Sequence, residues 1–320
     1  MKFVNDIIGT ELKTFDTKFS ESVKSQTPLL DSIMKYIIKR KGKQLRPMFV
    51  FLSARLHGEI NESTYRAAAL VELLHTATLV HDDVVDESFE RRGFFSINAV
   101  WKNKIAVLVG DYLLSKGLLL STTNEDFEHL HILSDAVRKM SEGELLQIEK
   151  SRKLNVDETV YFEIIKNKTA SLLSSACGVG AYSTTKDKNI TEQMKLFGEK
   201  AGIAFQIKDD LFDYGTEDIG KPTGNDIQEK KLTLPLIYTL NKVDKKTAKE
   251  IIYIIKNENK NKNRVQKVID IVIKNGGIKY TQQIMIQYRD EALAILHTFP
   301  DSPVRKALEE LVRYTTDRKY

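Results

Sequence analysis

The same short acidic pattern, DDxxD, occurs twice in this chain of 320 residues, at 82–86 and at 209–213. The six carboxylates belong to Asp82, Asp83, Asp86, Asp209, Asp210 and Asp213. Each copy follows a long apolar run, and residues four apart lie on one face of a helix. Crowded carboxylates repel each other unless a cation lies between them, and their hard oxygen atoms suit Mg²⁺. The repeat therefore predicts a cavity in which Mg²⁺ ions hold a polyanion from both sides.

Basic residues flank both acidic clusters. Arg91 and Arg92 follow the first cluster within two helical turns, and guanidinium groups bind phosphate oxygens well. Upstream, Lys43 and Arg46 lie in a Gly-Lys-Gln-Leu-Arg-Pro segment typical of a loop or helix start. After the second cluster, a Gly/Pro-rich stretch that contains Lys221 predicts a mobile flap. One DDxxD alone is more often solvated surface, but the recurrence and the nearby cations favour a metal–diphosphate site.

Helices are the elements that the sequence predicts to position these residues. The six prolines leave residues 48–221 free of this helix breaker. Residues 67–80 are apolar on nearly every face, which predicts a buried helix, and 105–120 have the same pattern. Asp111 and Lys116 interrupt the second stretch, so a core helix is predicted there rather than a membrane span. Strand patterns are poor, and we predict one all-α domain over residues 1–320.

Composition and charge argue against several classes of protein. The chain is 42% hydrophobic and 29% charged, as is usual for globular proteins. The net charge of +5 is dispersed, without a basic block interleaved with aromatic residues, so no nucleic-acid partner is expected. The single cysteine, Cys177, has apolar neighbours and is predicted to be a core residue. With no signal-peptide pattern at the N-terminus, we expect a cytoplasmic location.

The motifs from Gly42 to Pro235 together resemble those of the trans-type isoprenyl diphosphate synthases, or polyprenyl synthetases. The resemblance rests on DDxxD, Arg-Arg-Gly at 91–93, the second DDxxD and the segment 220–235, GKPTGNDIQEKKLTLP. The segment 75–81, HTATLVH, resembles the long-chain members, such as octaprenyl, heptaprenyl and solanesyl diphosphate synthases. The chain departs from the family at residues 41–43, Lys-Gly-Lys instead of Gly-Gly-Lys, and at Phe94–Phe95, where the family has other residues.

The resemblance implies a single-domain antiparallel helical bundle of the isoprenoid synthase type around a central cavity. It implies that the six aspartates bind Mg²⁺. The residues that it assigns to the allylic diphosphate are Arg91, Lys168, Thr169, Gln206, Lys221 and Lys231. Those that it assigns to isopentenyl diphosphate are Lys43, Arg46, His75 and Arg92. The catalytic set comprises Asp82, Asp83, Asp86, Arg91, Lys168, Asp209 and Lys221. A homodimer with at most peripheral membrane contact is also implied.

The expected reaction is a Mg²⁺-dependent 1′-4 condensation. An allylic diphosphate such as farnesyl diphosphate ionises, the double bond of isopentenyl diphosphate attacks the allylic cation, and a proton is lost. The hard step places negative charge on the departing pyrophosphate, and fixed cations stabilise that charge. The resemblance implies that this pyrophosphate then acts as the base.

Small residues before the first cluster predict a long product. Ala77 and Thr78 lie one helical turn before Asp82, and a turn rises about 5.4 Å, similar to one isoprene unit. Leu74, one turn further back, is not aromatic either. A tunnel that stays open at these positions predicts an all-trans chain of roughly C30 to C50, suited to a quinone side chain.

Three alternatives remain open. A geranylgeranyl or other medium-chain synthase would use the same chemistry. A class I terpene cyclase would usually carry a different second motif and would not need Lys43 and Arg46. A non-catalytic subunit of a heteromeric synthase would tend to lose aspartates, whereas both clusters are complete here.

Overall fold

The computed structural model describes residues 1–40, 42–91, 93–215 and 223–317, with the side chain of Arg91 excepted. Arg92, Lys221 and the predicted flap around it therefore lie outside the described residues. The helices are α1 (Lys2–Ser22), α2 (Pro28–Lys39), α3 (Leu45–His57), α4 (Glu62–Val85), α5 (Ile97–Thr123), α6 (Phe127–Lys153), α7 (Glu158–Ile165), α8 (Ser171–Thr185), α9 (Lys188–Phe212), α10 (Asn225–Gln228), α11 (Leu234–Lys242), α12 (Lys245–Asn257), α13 (Lys262–Lys274), α14 (Gly277–Leu296) and α15 (Pro303–Asp317). The predicted all-α class is confirmed.

Short elements of other kinds complete the described part of the chain. A π-helix, Lys166–Ala170, joins α7 to α8. The strands β1 (Glu90–Arg91) and β2 (Phe94–Phe95) form an antiparallel pair. Each strand has two residues, which is too short to produce an alternating pattern in the sequence.

The chain divides into two compact units. The first comprises residues 1–137, Ser175–Lys195 and Asp301–Leu308. The second comprises Arg138–Ser174, Leu196–Pro300 and the residues from Glu309 onward. The first acidic cluster lies in the first unit and the second cluster in the second. A single domain over 1–320, with both clusters around one cavity, stays a prediction.

Helix α4 carries the first acidic cluster and is buried on most of its sides. It begins with a capping box, in which the side chains of Asn61 and Thr64 each accept a backbone N–H of the other residue. Leu70 and Leu73 are each 1% exposed, which confirms the buried helix predicted over 67–80. The last turn ends at Val85, so the acidic cluster closes the helix as predicted.

Two glycines of α5 let that helix approach α4 closely. A Cβ atom at Gly117 would lie 2.9 Å from Cδ1 of Leu70, and one at Gly110 would lie 2.1 Å from Nε2 of His81. At either position a Cβ atom would force the facing side chain to move, so glycine allows this close packing. His81 immediately precedes Asp82, so α5 packs beside the start of the first acidic cluster.

The prediction that residues 105–120 are buried all round was wrong. They lie in α5, where Val107, Leu108, Leu118 and Leu119 are 40%, 63%, 50% and 61% exposed. One side of α5 packs on α4, while the opposite apolar side is uncovered in this unit. Among the described residues, Asn103–Thr123 is the one stretch long and apolar enough to cross a membrane, and only 33% of its most apolar window is buried.

The second unit has a core of aliphatic residues from α9 and α11 to α14. Ile207, Ile251, Ile254, Val268 and Val272 are fully buried in it. The chain leaves α9 after Phe212, and the loop that follows is held to the residue before α11. Tyr214 is buried there, and its hydroxyl lies 2.9 Å from Oγ1 of Thr233.

The π-helix interrupts the helical stretch that runs from α7 to α8. Two glycines contact this π-helix at its backbone. A Cβ atom at Gly143 would lie 2.9 Å from the backbone nitrogen of Lys168, and one at Gly202 would lie 2.7 Å from Cα of Ala170. Residue propensities do not distinguish α from π turns, so this change of helix type cannot be predicted from them.

Candidate active site

A cavity of about 120 Å³ in the second unit collects residues predicted for diphosphate and metal binding. The predicted residues that line it are Lys168, Thr169, Gln206, Asp210 and Lys231. They come from the π-helix, from α9 and from the segment before α11. Tyr161 of α7 and Asp226 of α10 also line the cavity, and neither was predicted to bind a ligand.

A chain of hydrogen bonds runs through this cavity and ends on Asp210. The hydroxyl of Thr169 donates to Oε1 of Gln206 at 2.8 Å. The amide nitrogen of Gln206 donates to Oδ1 of Asp210 at 2.8 Å, and the hydroxyl of Tyr161 donates to Oδ2 at 2.7 Å. Each oxygen of the buried Asp210 carboxylate therefore has a donor.

Burial raises the pKa values of three carboxyl groups in this unit, those of Asp210, Asp213 and Asp226. Burial raises the pKa of Asp210 to about 7, against the hydrogen bonds from Tyr161 and Gln206. Burial, and then the charges of Asp210 and Asp213, raise the pKa of Asp226 well above its ordinary value. The pKa of Asp213 is raised by burial as well. A cation near these groups would relieve the cost of keeping them ionised.

Asp213, the last aspartate of the second cluster, also holds the start of α10. Its Oδ1 accepts the backbone N–H of Asn225 at 2.8 Å, and its Oδ2 accepts that of Asp226 at 3.0 Å. These bonds bring Asp226 towards the second cluster. A carboxylate oxygen has two lone pairs, so Asp213 retains capacity for a further ligand.

Both described lysines of the cavity are ion-paired with glutamates. Lys168 pairs with Glu144 of α6, and Nζ of Lys231 lies 2.5 Å from Oε2 of Glu229. A diphosphate offers stronger and more numerous acceptor oxygens than a carboxylate. The glutamates therefore hold the two ammonium groups at the cavity, and a diphosphate that binds there can displace the glutamate carboxylates.

The first cluster occupies the last turn of α4 and the residue after it. Asp82 is half-buried, Asp83 is 3% exposed and Asp86 is exposed. The backbone N–H of Asp86 donates to the carbonyl of Asp82 at 2.8 Å, and Nδ2 of Asn98 donates to the carbonyl of Asp83 at 3.1 Å. The three carboxylates thus differ in exposure, and only the outer two face the solvent.

Arg46 and His75, both predicted to bind isopentenyl diphosphate, are in direct contact. Nη1 of Arg46 lies 2.8 Å from Nε2 of His75. Because arginine can only donate, Nε2 must accept and the proton of the neutral ring lies on Nδ1. His75 is 7% exposed, so it holds the guanidinium group from the buried side of α4. Lys43 is exposed nearby in sequence.

The donor set fits a magnesium ion that takes part of its ligands from a substrate. No three His, Cys, Asp or Glu side chains in the described ranges are placed to hold a metal ion by themselves. Mg²⁺ usually binds through one or two carboxylates, water and substrate phosphates rather than in an all-protein cage. Two carboxylates, such as those of Asp82 and Asp86 or of Asp210 and Asp226, would be enough for this kind of magnesium binding.

The positions predicted to set product length lie within the buried part of α4. Ala77 is fully buried, and Thr78 is half-buried with its hydroxyl donating to the carbonyl of His75 at 2.8 Å. Leu74 is buried, and a Cβ atom at Gly117 would lie 3.7 Å from its Cδ2. Leu74 therefore packs against α5, which favours a core role for it.

Comparison with known proteins identifies the family. The model of the polyprenyl synthetase family matches residues 27–272. The chain belongs to the polyprenyl synthetase family. It is 33% identical to the octaprenyl diphosphate synthase of Escherichia coli, over 98% of both chains. The predicted family and enzyme class, a prenyltransferase that extends a prenyl diphosphate, are confirmed.

Solved structures of this polyprenyl synthetase family have the same fold. A polyprenyl synthase from Caulobacter crescentus, in complex with calcium and isoprenyl diphosphate, is 33% identical with a TM-score of 0.92, covering 100% of this chain and 98% of that one. A geranylgeranyl pyrophosphate synthase from Bacteroides thetaiotaomicron is 36% identical with a TM-score of 0.84, covering 99% and 98%.

Proposed function

We propose that this polyprenyl synthetase extends an allylic diphosphate, such as farnesyl diphosphate, by successive 1′-4 condensations with isopentenyl diphosphate. The observation that carries the proposal is the cavity in which Lys168, Thr169 and Lys231 lie beside Asp210. Cations, a hydroxyl and a buried carboxylate around one small cavity suit a metal-bound diphosphate.

The product that we propose is a long all-trans chain, used as a quinone side chain. The full-length similarity to an octaprenyl diphosphate synthase supports this length. A geranylgeranyl product is the second candidate, because a structure described as a geranylgeranyl pyrophosphate synthase is 36% identical. Small residues at Ala77 and Thr78 favour the longer product.

Mg²⁺ is the metal that we propose for both acidic clusters, and calcium in the Caulobacter crescentus relative supports a divalent cation. When bound, it supplies positive charge that stabilises the departing pyrophosphate. Lys168 and Lys231 exchange their glutamate partners for diphosphate oxygens, while the Thr169 hydroxyl keeps its hydrogen bond to Gln206 beside them. Apolar residues of the cavity wall, such as Ile164 and Leu232, limit the access of water to the allylic cation.

The remaining roles follow the family resemblance. We propose that Lys43, Arg46 and His75 bind isopentenyl diphosphate, and the contact between Arg46 and His75 supports two of them. Arg92 would bind the same diphosphate, whereas Arg91 and Lys221 would bind the allylic diphosphate.

Alanine substitution of one aspartate in each cluster tests the metal proposal. Asp82→Ala and Asp209→Ala should each lower kcat by a factor on the order of 10²–10³ at saturating Mg²⁺, because charge stabilisation in the transition state is lost. Asp270→Ala, which removes an exposed carboxylate on α13, is the matched control. Near-wild-type turnover of either cluster variant would rule out the metal role of that aspartate.

A homodimer is our proposal for the assembly, with the uncovered apolar side of α5 as the interface. Leu108, Leu118 and Leu119 would be buried by the same side of a second copy, which removes apolar surface from water. Light scattering should therefore find two chains per particle. Leu108→Glu should shift the particle to one chain, and an unchanged dimer would contradict this interface.

We place the enzyme in the cytoplasm, with at most peripheral membrane contact during product release. The buried, free Cys177, whose pKa burial raises to about 12, is compatible with a reducing compartment. Cell fractionation tests this location, and enzyme that stays with membranes after a high-salt wash would contradict it.

A further inference from the structure

Tyr161 is a buried tyrosine whose hydroxyl is directed at the second acidic cluster. The side chain is 3% exposed and belongs to the core of the second unit. Its ring packs edge-on against Phe162, with ring centroids 5.3 Å apart. A buried hydroxyl needs a partner, and the partner here is Oδ2 of Asp210 at 2.7 Å.

The other carboxylate oxygen of Asp210, Oδ1, also accepts a hydrogen bond. Gln206 lies one helical turn before it on α9, and its amide nitrogen donates to Oδ1 at 2.8 Å. Because Thr169 donates to Oε1 of Gln206, the amide cannot turn its nitrogen away without losing that bond. The carboxylate of Asp210 is therefore fixed by donors on both oxygens, from two different helices.

We propose that Tyr161 is a positioning residue, which orients the Asp210 carboxylate for a metal-bound diphosphate through its hydroxyl. Each oxygen of Asp210 keeps one lone pair after these hydrogen bonds, and Tyr161 and Gln206 decide where those lone pairs point. This inference rests on the proposed metal role of the second cluster. It adds a residue that touches neither substrate nor metal.

Positioning matters here because the carboxylate has competing orientations. Asp210 lies in one cavity with the ammonium group of Lys231 and the carboxyl group of Asp226. Without the Tyr161 hydroxyl, Asp210 can turn towards Lys231 and away from a metal ion. Residues that orient metal ligands typically change metal affinity by 10–100-fold when they are removed.

Tyr161→Phe tests the role, because it deletes one hydroxyl and keeps the packed ring. Calorimetric titration with inorganic pyrophosphate, at a series of Mg²⁺ concentrations, gives the Mg²⁺ level for half-maximal binding without any turnover. We expect that level to rise roughly 10-fold in Tyr161→Phe. In the activity assay of Tyr161→Phe, we also expect the fold-increase of the half-saturating Mg²⁺ concentration to exceed the fold-decrease of kcat.

Tyr280→Phe is the matched control. It also deletes a tyrosine hydroxyl that donates to a carboxylate in the second unit, Oε1 of Glu158 at 2.6 Å, away from the cavity. We expect its Mg²⁺ dependence to equal that of the wild type. Gln206→Met, which releases the other oxygen of Asp210, should show the same signature as Tyr161→Phe, and it gives the answer if Tyr161→Phe does not fold.

A double-mutant cycle separates positioning from a general structural role. If Tyr161 acts through the carboxylate, Tyr161→Phe should have little further effect on Mg²⁺-dependent pyrophosphate binding when Asp210→Asn is present. Unchanged Mg²⁺ dependence in both Tyr161→Phe and Gln206→Met, or full additivity in the cycle, would overturn the positioning role. Failure of the wild type itself to bind pyrophosphate with Mg²⁺ would instead contradict the proposed function.

Discussion

Asp210 and Asp213 illustrate what single residues of this chain do and how far the sequence reveals it. Their carboxyl chemistry and spacing were enough to predict a metal-binding cluster. The structure adds that Asp213 holds α10 and that Asp210 is held by Tyr161 and Gln206. These are contacts across elements, and the sequence carries no signal for them. Tyr161 lies two helical turns before Lys168. This spacing points to a role for Tyr161 only if Lys168 is already known to lie at the site.

His129 gives a prediction for the pH dependence of folding. It is 2% exposed, and its Nε2 lies 2.8 Å from Oγ of Ser63, whose hydroxyl donates to Asp126. Burial lowers the pKa of His129 to about 4. The unfolded chain, with a histidine pKa of about 6.5, binds a proton at higher pH than the folded chain does. The contribution of His129 to stability is therefore complete above that pH and is lost as the pH falls towards about 4.

Urea unfolding at pH 7 and pH 4.5 measures this contribution, which is roughly 3 kcal/mol at most. His129→Gln cannot titrate, so it should lose less stability than the wild type between these two conditions. The exposed His131, changed to Gln, should behave as the wild type does. An identical pH dependence in His129→Gln and wild type would show that the buried imidazole is not the group responsible.

At the scale of elements, the sequence predicted the helices well and their irregularities poorly. The apolar pattern located α4 and α5, because burial on a helix face leaves a clear period. It did not predict the π-helix, which depends on contacts with Gly143 and Gly202. It also predicted burial on all sides of residues 105–120, because an exposed apolar side of a helix has the same composition as a buried one.

Gly202→Ala tests whether the π-helix places the diphosphate ligands. The new Cβ atom would lie 2.7 Å from Cα of Ala170, a backbone atom that can move only with the π-helix. We expect a loss of about 1–3 kcal/mol in unfolding free energy and a pyrophosphate affinity lowered on the order of 10-fold, because Lys168 and Thr169 shift. Chemical unfolding and calorimetry measure the two effects.

Gly9→Ala is the control for this substitution, since a Cβ atom there would meet no atom within 4 Å. Alanine should leave pyrophosphate binding unchanged at this position and should not lower stability. Wild-type pyrophosphate affinity in Gly202→Ala would show that the shape of the π-helix does not matter for binding.

Ala77→Phe tests the role of α4 in product length. If Ala77 borders the path of the growing chain, the phenyl ring blocks it and the product becomes shorter by one or more isoprene units. Ala68→Phe is the control, because it is equally buried and lies nine residues back, half a turn around the helix. Chromatography of the dephosphorylated products gives the lengths, and an unchanged length in Ala77→Phe would remove Ala77 from the tunnel.

For the whole molecule, a few motifs were enough to predict the family, whereas the division of the chain into two units could not be predicted from the sequence. The order of motifs from Gly42 to Pro235 agreed with the family match over residues 27–272. The division into two units had no sign in the sequence, because no linker of Pro, Gly or Ser separates them. The units interleave along the chain, and such a division depends on contacts between distant segments.

The size of the product tests the central claim most directly. The purified wild-type enzyme is incubated with farnesyl diphosphate, isopentenyl diphosphate and Mg²⁺, and the dephosphorylated products are sized by chromatography. Because Ala77 and Thr78 are too small to block a growing chain, we predict all-trans chains of roughly C30 to C50 and no product without Mg²⁺. A product that stops at geranylgeranyl length, a cyclic hydrocarbon, or elongation in the absence of a divalent metal ion would contradict the account.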